Sequence, residues 1–125
     1  MKNSENPGHQ ILVVDDESAV CKAFKQLLEF DGHKVQTAES GEAALGLFEA
    51  GRFDLIITDY SMCGMKGDAL AALIKARRPG QPIIMATAFA ADFSSPGKPP
   101  AAVDWVLHKP FSLIELREAI GKVMS

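Results

Sequence analysis

A chain of 125 residues, 47% apolar and 23% charged, has the size and composition of one soluble globular domain, which buries roughly two thirds of its unfolded surface on folding. A formal net charge of -3 without a run of Lys or Arg leaves no footprint for nucleic acid or another polyanion. Two cysteines, Cys21 and Cys63, are too few for a disulfide framework and lack metal-type spacing, and no apolar stretch reaches membrane-spanning length.

Residues 1–8 are polar and read as a flexible leader without the features of a signal peptide, so one domain is expected over 9–125, in the reducing cytoplasm. Ile11-Leu12-Val13-Val14 reads as a buried strand running into Asp15-Asp16-Glu17. Ser18 is a candidate cap for the next helix, whose apolar face takes Val20, Ala23, Phe24, Leu27 and Leu28, and Asp31-Gly32 stops it. Lys34 to Ala38 is a weaker strand suited to a sheet edge. Ser40 opens a second helix facing inward through Ala44, Leu47 and Phe48, and Gly51 closes it.

Leu55-Ile56-Ile57 is an apolar run without alternation, as expected of a strand covered on both faces, and it ends at Asp59. A loop, Ser61 to Gly67, leads to a third helix with Leu70, Leu73 and Ile74 as its core face, broken by Pro79-Gly80. Pro82 to Thr87 is the fourth strand. From Ala88 to Ala102 the helical pattern fails, because Pro96, Pro99 and Pro100 remove donors and clash with preceding turns. Residues 90–100 are therefore expected to be mobile and to be the place where a signal is read out by ordering. Val103 to Leu107 reads as a fifth strand ending at His108-Lys109-Pro110. Ser112 and Glu115 have capping-box spacing before a last helix whose inner face is Leu113, Leu116, Ile120 and Val123. Strands alternating with helices argue for one parallel sheet with helices on both faces.

In such a sheet the carboxyl ends of all strands open on one edge, where ligands bind. Asp15-Asp16, Asp59, Thr87 and Lys109 all fall at strand ends. Each alone has a plain structural role: a helix-dipole partner, a turn former, a β-former, a surface lysine. Together they make a pocket of three carboxylates that repel one another unless compensated. Oxygen ligands without thiolate or imidazole favour Mg²⁺ as the compensating ion. A cation, an ammonium and a hydroxyl around one carboxylate are the equipment of phosphoryl transfer.

These stretches, Ile11 to Glu17, Asp59-Tyr60-Ser61-Met62 with Gly64-Met65-Lys66-Gly67, Ala86-Thr87-Ala88 and Lys109-Pro110-Phe111, resemble in order and spacing the receiver domain of two-component response regulators. The resemblance runs from about His9 to the end. It implies the flavodoxin-like, doubly wound five-stranded sheet of order 2-1-3-4-5, with the helix after the fourth strand irregular or missing here. It implies that Asp59 accepts a phosphoryl group from a histidine kinase or a histidine phosphotransfer protein. Asp16, Asp59 and the backbone carbonyl of Ser61 would bind Mg²⁺ directly, and Asp15 through a water. Lys109 would pair with the phosphoryl oxygens, and Thr87 and the amide of Ala88 would hydrogen-bond them. The Lys109–Pro110 bond would be cis. Such a domain acts on a downstream protein target as a signalling module and not as an enzyme, without contacting nucleic acid or membrane itself.

The chain departs from the family pattern in three places. Val106 stands where the family has a switch aromatic, with Trp105 one place off and facing the other side of the strand. Cys63 stands where a proline is common. The third departure is the Pro/Gly-rich segment after Thr87. Two alternatives use similar residues. A haloacid-dehalogenase-type Mg²⁺-dependent phosphohydrolase needs an acid two residues after the nucleophile, and that position is Ser61. A phosphorylation-independent pseudo-receiver would not keep the acids, Thr87 and Lys109 complete.

Overall fold

The computed structural model describes residues 8–88 and 102–124. The expected leader, except Gly8, and the expectations for residues 90–100 lie outside this set. Among the described elements strands and helices alternate as far as β4, after which β5 and the last helix follow: β1 (Gln10–Val14), α1 (Ser18–Phe30), β2 (Lys34–Ala38), α2 (Gly41–Ala50), β3 (Leu55–Asp59), α3 (Gly67–Arg77), β4 (Ile83–Thr87), β5 (Trp105–His108) and α4 (Leu113–Met124). The five strands form one parallel sheet in the order β2-β1-β3-β4-β5, the flavodoxin-like order expected from sequence.

Alternation along the strands divides the core in two. Leu12, Val14, Ile56, Ile83 and Met85 face the layer of α2 and α3, where Phe48, Leu70 and Ile74 meet them. Ile11, Val13, Leu55, Ile57, Ile84 and Ala86 face α1 and α4, meeting Phe24, Leu28, Leu116 and Ile120. Leu70, Ile74 and Leu116 are fully buried, worth about 1.5–3 kcal/mol each. β2 is the polar edge strand expected, with only Val35 and Ala38 buried.

Two helix faces are rotated from the expected ones. In α1 the buried positions are Cys21, Phe24 and Leu28, whereas Ala23 is exposed. At about 100° per residue Ala23 points nearly opposite Cys21. In α3 the stripe is Gly67, Leu70, Ala71 and Ile74, which leaves Leu73 40% exposed on its flank. On β5, Leu107 is buried and Val106 packs against the α2–α3 core, while Trp105, on the opposite strand face from Val106, is 38% exposed.

Helix ends follow capping chemistry with one correction. Ser40 Oγ accepts from the Ala43 amide at 3.0 Å. At α4 the box is complete: the Ser112 amide donates to Glu115 Oε1 at 2.8 Å and the Glu115 amide to Ser112 Oγ at 3.1 Å. Ser18 does not cap α1. Glu17 occupies the cap position without a side-chain bond, its amide donating to Asp15 Oδ1 at 2.9 Å. Gly32, at φ 92°, supplies the left-handed turn after α1.

At the opposite edge of the sheet from the strand-end acids, two aspartates lock strand starts. Asp54 Oδ2 accepts from the Gln10 amide and the Asp54 amide donates to the Gln10 carbonyl, both at 2.7 Å. Asp104 does the same for Ile83, at 2.8 and 2.9 Å, and also pairs with Lys75 Nζ.

Near the start of β1 the His9 and His33 rings stack at 5.5 Å, and the His9 amide donates to His33 Nδ1. Burial, then the neighbouring His9, pushes the His33 imidazole below its ordinary 6.5, with Asp31 pulling the other way. Protonation would also remove the acceptor at Nδ1. Because the unfolded chain takes up this proton first, folding stability should fall as the pH drops from 6.5 towards the lowered value. Chemical denaturation of His33→Gln across that range should show a flatter pH dependence than the wild type.

Candidate functional site

Strand ends β1, β3 and β5 bring the charged groups together. The register pairs Val14 with Thr58 and Asp59 with Ala86, so Asp15 and Asp16, just beyond β1, emerge beside Asp59 at the end of β3. One carboxylate oxygen from each of Asp15, Asp16 and Asp59 lies within 4.8 Å of the others. Lys109, just past β5, reaches back so that its Nζ sits 3.1 Å from Asp15 Oδ2 and 3.2 Å from Asp59 Oδ1. The amide of Lys109 donates to the Thr87 carbonyl at 2.8 Å, which ties the lysine backbone to the end of β4. The Lys109–Pro110 bond is cis, as expected.

Charge in this pocket is poorly hydrated. Asp15 is 2% exposed, and the side chains of Asp59 and Lys109 are 11% and 22% exposed. Burial pushes the Asp59 carboxyl above 3.8; the Lys109 charge opposes this and the Asp15 charge adds to it. Burial works against the Lys109 charge, but its hydrogen bond to Asp15 and the charges of Asp15 and Asp59 outweigh that and raise it above 10.5. The lysine is therefore a fixed cation beside a carboxylate that is more basic than an ordinary aspartate.

Thr87 is buried at the end of β4, and Ala88 follows it at the surface. Ser61 is exposed in the β3–α3 loop. This loop is pinned by Met62, which is buried in the α2–α3 core, and by Met65, whose side chain crowds Gly41 at the start of α2. Cys63 is exposed between them, and its amide donates to Asp16 Oδ2 at 3.0 Å. Gly67 returns the chain to Asp59: its amide donates to the Tyr60 carbonyl at 3.0 Å, and a Cβ there would overlap the Asp59 carbonyl oxygen. That same oxygen accepts from Thr58 Oγ1 at 3.0 Å.

The site thus contains two groups that side-chain reasoning overlooked. The Cys63 contact comes from the main chain and has no residue signature. The requirement at Gly67 was visible only as a glycine in a motif, because the close approach involves residues eight positions apart. Cys21 is buried behind the pocket, with Sγ 3.3 Å from the Asp15 carbonyl oxygen, and burial pushes its thiol up. It is a core residue and not a reactive one.

A parallel α/β sheet carrying an acidic triad and a bridging lysine at its carboxyl edge defines a phosphoacceptor-type signalling domain. Residues 11–121 match the family model of the response regulator receiver domain, and the chain belongs to that family. It is 34% identical over 121 residues to chemotaxis protein CheY-3 of Vibrio cholerae, covering 94% of this chain and 93% of that one. It is 34% identical over 120 residues to response regulator protein FleR of Pseudomonas aeruginosa, covering 91% of this chain but only 25% of FleR. Among solved structures it resembles response regulator protein TrrA from Thermotoga maritima, in complex with Mg²⁺-BeF, at 37% identity and a TM-score of 0.80, covering 91% and 97% of the two chains. Receiver domains are phosphoacceptor signalling modules of two-component systems, so the hydrolase and pseudo-receiver alternatives have no support. Among the described residues no helix is long and apolar enough to cross a membrane.

Proposed function

We propose that Asp59 is the phosphoacceptor, that Asp15, Asp16, Asp59 and the Ser61 carbonyl hold Mg²⁺, and that the phosphorylated domain switches contacts with a downstream protein. The observation that carries this reading is the Lys109 ammonium bridging Asp15 and Asp59 within a cluster of three carboxylates. Oxygen donors alone, clustered around one point, suit a hard divalent cation. Asp15, the most buried and already paired with Lys109, is assigned the water-mediated contact. When bound, Mg²⁺ supplies positive charge for the phosphoryl oxygens.

The chain's own groups do the rest. An Asp59 carboxylate oxygen attacks phosphorus in line, forming the O–P bond as the P–N bond of a donor phosphohistidine breaks. The imidazole keeps the electron pair and takes a proton from solvent. Lys109, fixed 3.2 Å from Asp59, covers the charge on the transferring group. Thr87 and the Ala88 amide, at the adjoining strand end, then hydrogen-bond the phosphoryl oxygens and carry the change into β4. A sensor histidine kinase or histidine phosphotransfer protein is the donor. The domain is a switch and not an enzyme acting on a separate substrate. TrrA, of the same family, is a complex with Mg²⁺-BeF, which supports the metal and phosphoryl assignments.

Incubation with a small acyl-phosphate donor and Mg²⁺ should give one acid-stable, base-labile adduct by mass spectrometry, and Asp59→Asn should abolish it. An adduct at full yield in Asp59→Asn removes the assignment. Mg²⁺ should also raise the melting temperature of the wild type in a concentration-dependent way. Asp59→Asn should lose most of that dependence without being less stable when metal-free, because it relieves repulsion among the acids.

A further inference from the structure

We propose that His33 is a proton-operated latch for the stretch ahead of β1. In its neutral form Nδ1 holds the His9 amide against the turn between α1 and β2; protonation releases Gly8 and that amide while β1 stays in the sheet. The latch lies at the strand starts, away from the acidic pocket, and does not rest on the phosphoryl reading above.

Three contacts build it. The His9 amide donates to His33 Nδ1 at 3.0 Å, which fixes the neutral ring with its proton on Nε2. The two imidazoles stack with centroids 5.5 Å apart and planes inclined at 17°. Gly8 lies so close to the turn that a Cβ on it would overlap the Gly32 carbonyl oxygen. The residues that follow are held by other means. The Lys34 amide donates to the His9 carbonyl at 2.9 Å, and the Gln10 amide donates to Asp54 Oδ2 at 2.7 Å. Neither of these bonds uses an imidazole, so the release stops at the His9 amide.

An imidazolium carries a proton on both ring nitrogens. At His33 the new Nδ1 proton would point at the His9 N–H, so a donor–acceptor pair becomes two facing donors. The charges around the ring decide how readily that proton arrives. His9 faces it from the start of β1, and Asp31 from the end of α1. Glu29 of α1 and Lys34 of β2 line the cavity beside it. Arg117 of α4 pairs with Asp31 at 2.7 and 2.8 Å and so offsets part of its charge. Burial and His9 resist protonation while Asp31 favours it, and the balance falls below the ordinary 6.5. The latch is therefore shut at neutral pH and opens on acidification.

The test is backbone amide relaxation of the full chain by NMR from about pH 8 to about pH 5, the range in which histidine ordinarily changes charge. At the alkaline end Gly8 and His9 should show the order parameter of rigid backbone, about 0.85, and should fall below about 0.6 as His33 titrates, with Gln10 remaining rigid. The His33 ring shifts and the order at His9 should share one midpoint, below 6.5. Asp31→Asn should move that midpoint lower. His33→Gln should abolish the pH response, although the His9 imidazole is still present. Gly8→Ala should leave the segment mobile even at the alkaline end, since the added methyl pushes it off Gly32. The inference is overturned if His9 stays ordered while His33 protonates, if the response persists in His33→Gln, or if Gln10 loosens together with His9. An unmoved midpoint in Asp31→Asn, or wild-type order in Gly8→Ala, overturns it too.

Discussion

Lys109→Met is expected to destabilise the metal-free protein by about 3–5 kcal/mol, because it strands carboxylates that the fold keeps from water. For a domain of this length that corresponds to a fall in melting temperature of about 10–20 °C. Asp15 is 2% exposed and the Asp59 side chain 11% exposed, so water cannot replace the ammonium that now lies 3.1 and 3.2 Å from them. Methionine keeps most of the aliphatic length, so packing changes contribute little and the loss reports charge. Three further readouts confirm the cause. The penalty should shrink as acid protonates Asp59, whose carboxyl is already pushed above 3.8 by burial. It should shrink when Asp59→Asn is added. It should also shrink in Mg²⁺, since a divalent cation supplies the same compensation. A variant as stable as the wild type in metal-free buffer at neutral pH would show that the ion pair is not holding the acids together.

Gly67→Ala is expected to be destabilising by about 2–3 kcal/mol and to slow phosphoryl acceptance by about a hundredfold. Helix propensity alone predicts the reverse sign, since alanine is favoured over glycine by about 1 kcal/mol inside a helix. The close approach decides otherwise. A methyl group at Gly67 overlaps the Asp59 carbonyl oxygen and lies 3.0 Å from the Tyr60 Cα, and both contacts are main chain that cannot rotate away. The end of β3 and the start of α3 must separate, and the carboxylate moves with them. Gly46 is the internal control. It sits within α2 with nothing within 4 Å of an added Cβ, so Gly46→Ala should stabilise by about 0.5–1 kcal/mol and leave phosphorylation unchanged. Denaturant melts and a timed phosphorylation assay on the two variants decide the matter. Equal stabilities would mean that β3 and α3 yield freely.

The core strands were legible because their apolar runs carry two-sided burial directly: Ile11 to Val14 and Leu55 to Ile57 stand where they were expected. Strand and helix boundaries were less so. β4 begins at Ile83, after Pro82 instead of at it, and β5 runs from Trp105 to His108, two residues later than its apolar start suggested. Helix faces failed where alanine and leucine compete. In α3, Ala71 takes the buried position and Leu73 the flank, because the angular position of the stripe is set by where the loop delivers Gly67 and not by side-chain size. The acids and Lys109 could be read as a group because parallel topology converts strand ends into neighbours. The Cys63 amide could not, since every residue but proline offers one.

The locks at the strand starts give the sheet a fixed end and a working end. Asp54 clamps β3 to β1 and Asp104 clamps β5 to β4, each by bonds that never approach the acidic pocket. A small displacement at Thr87 or Lys109 therefore pivots about an anchored base instead of sliding the strands past one another. Substitutions at the clamped edge therefore tune how firmly the domain holds together without reaching the pocket, whereas those at the other edge, as at Lys109 and Gly67, change stability and signalling together.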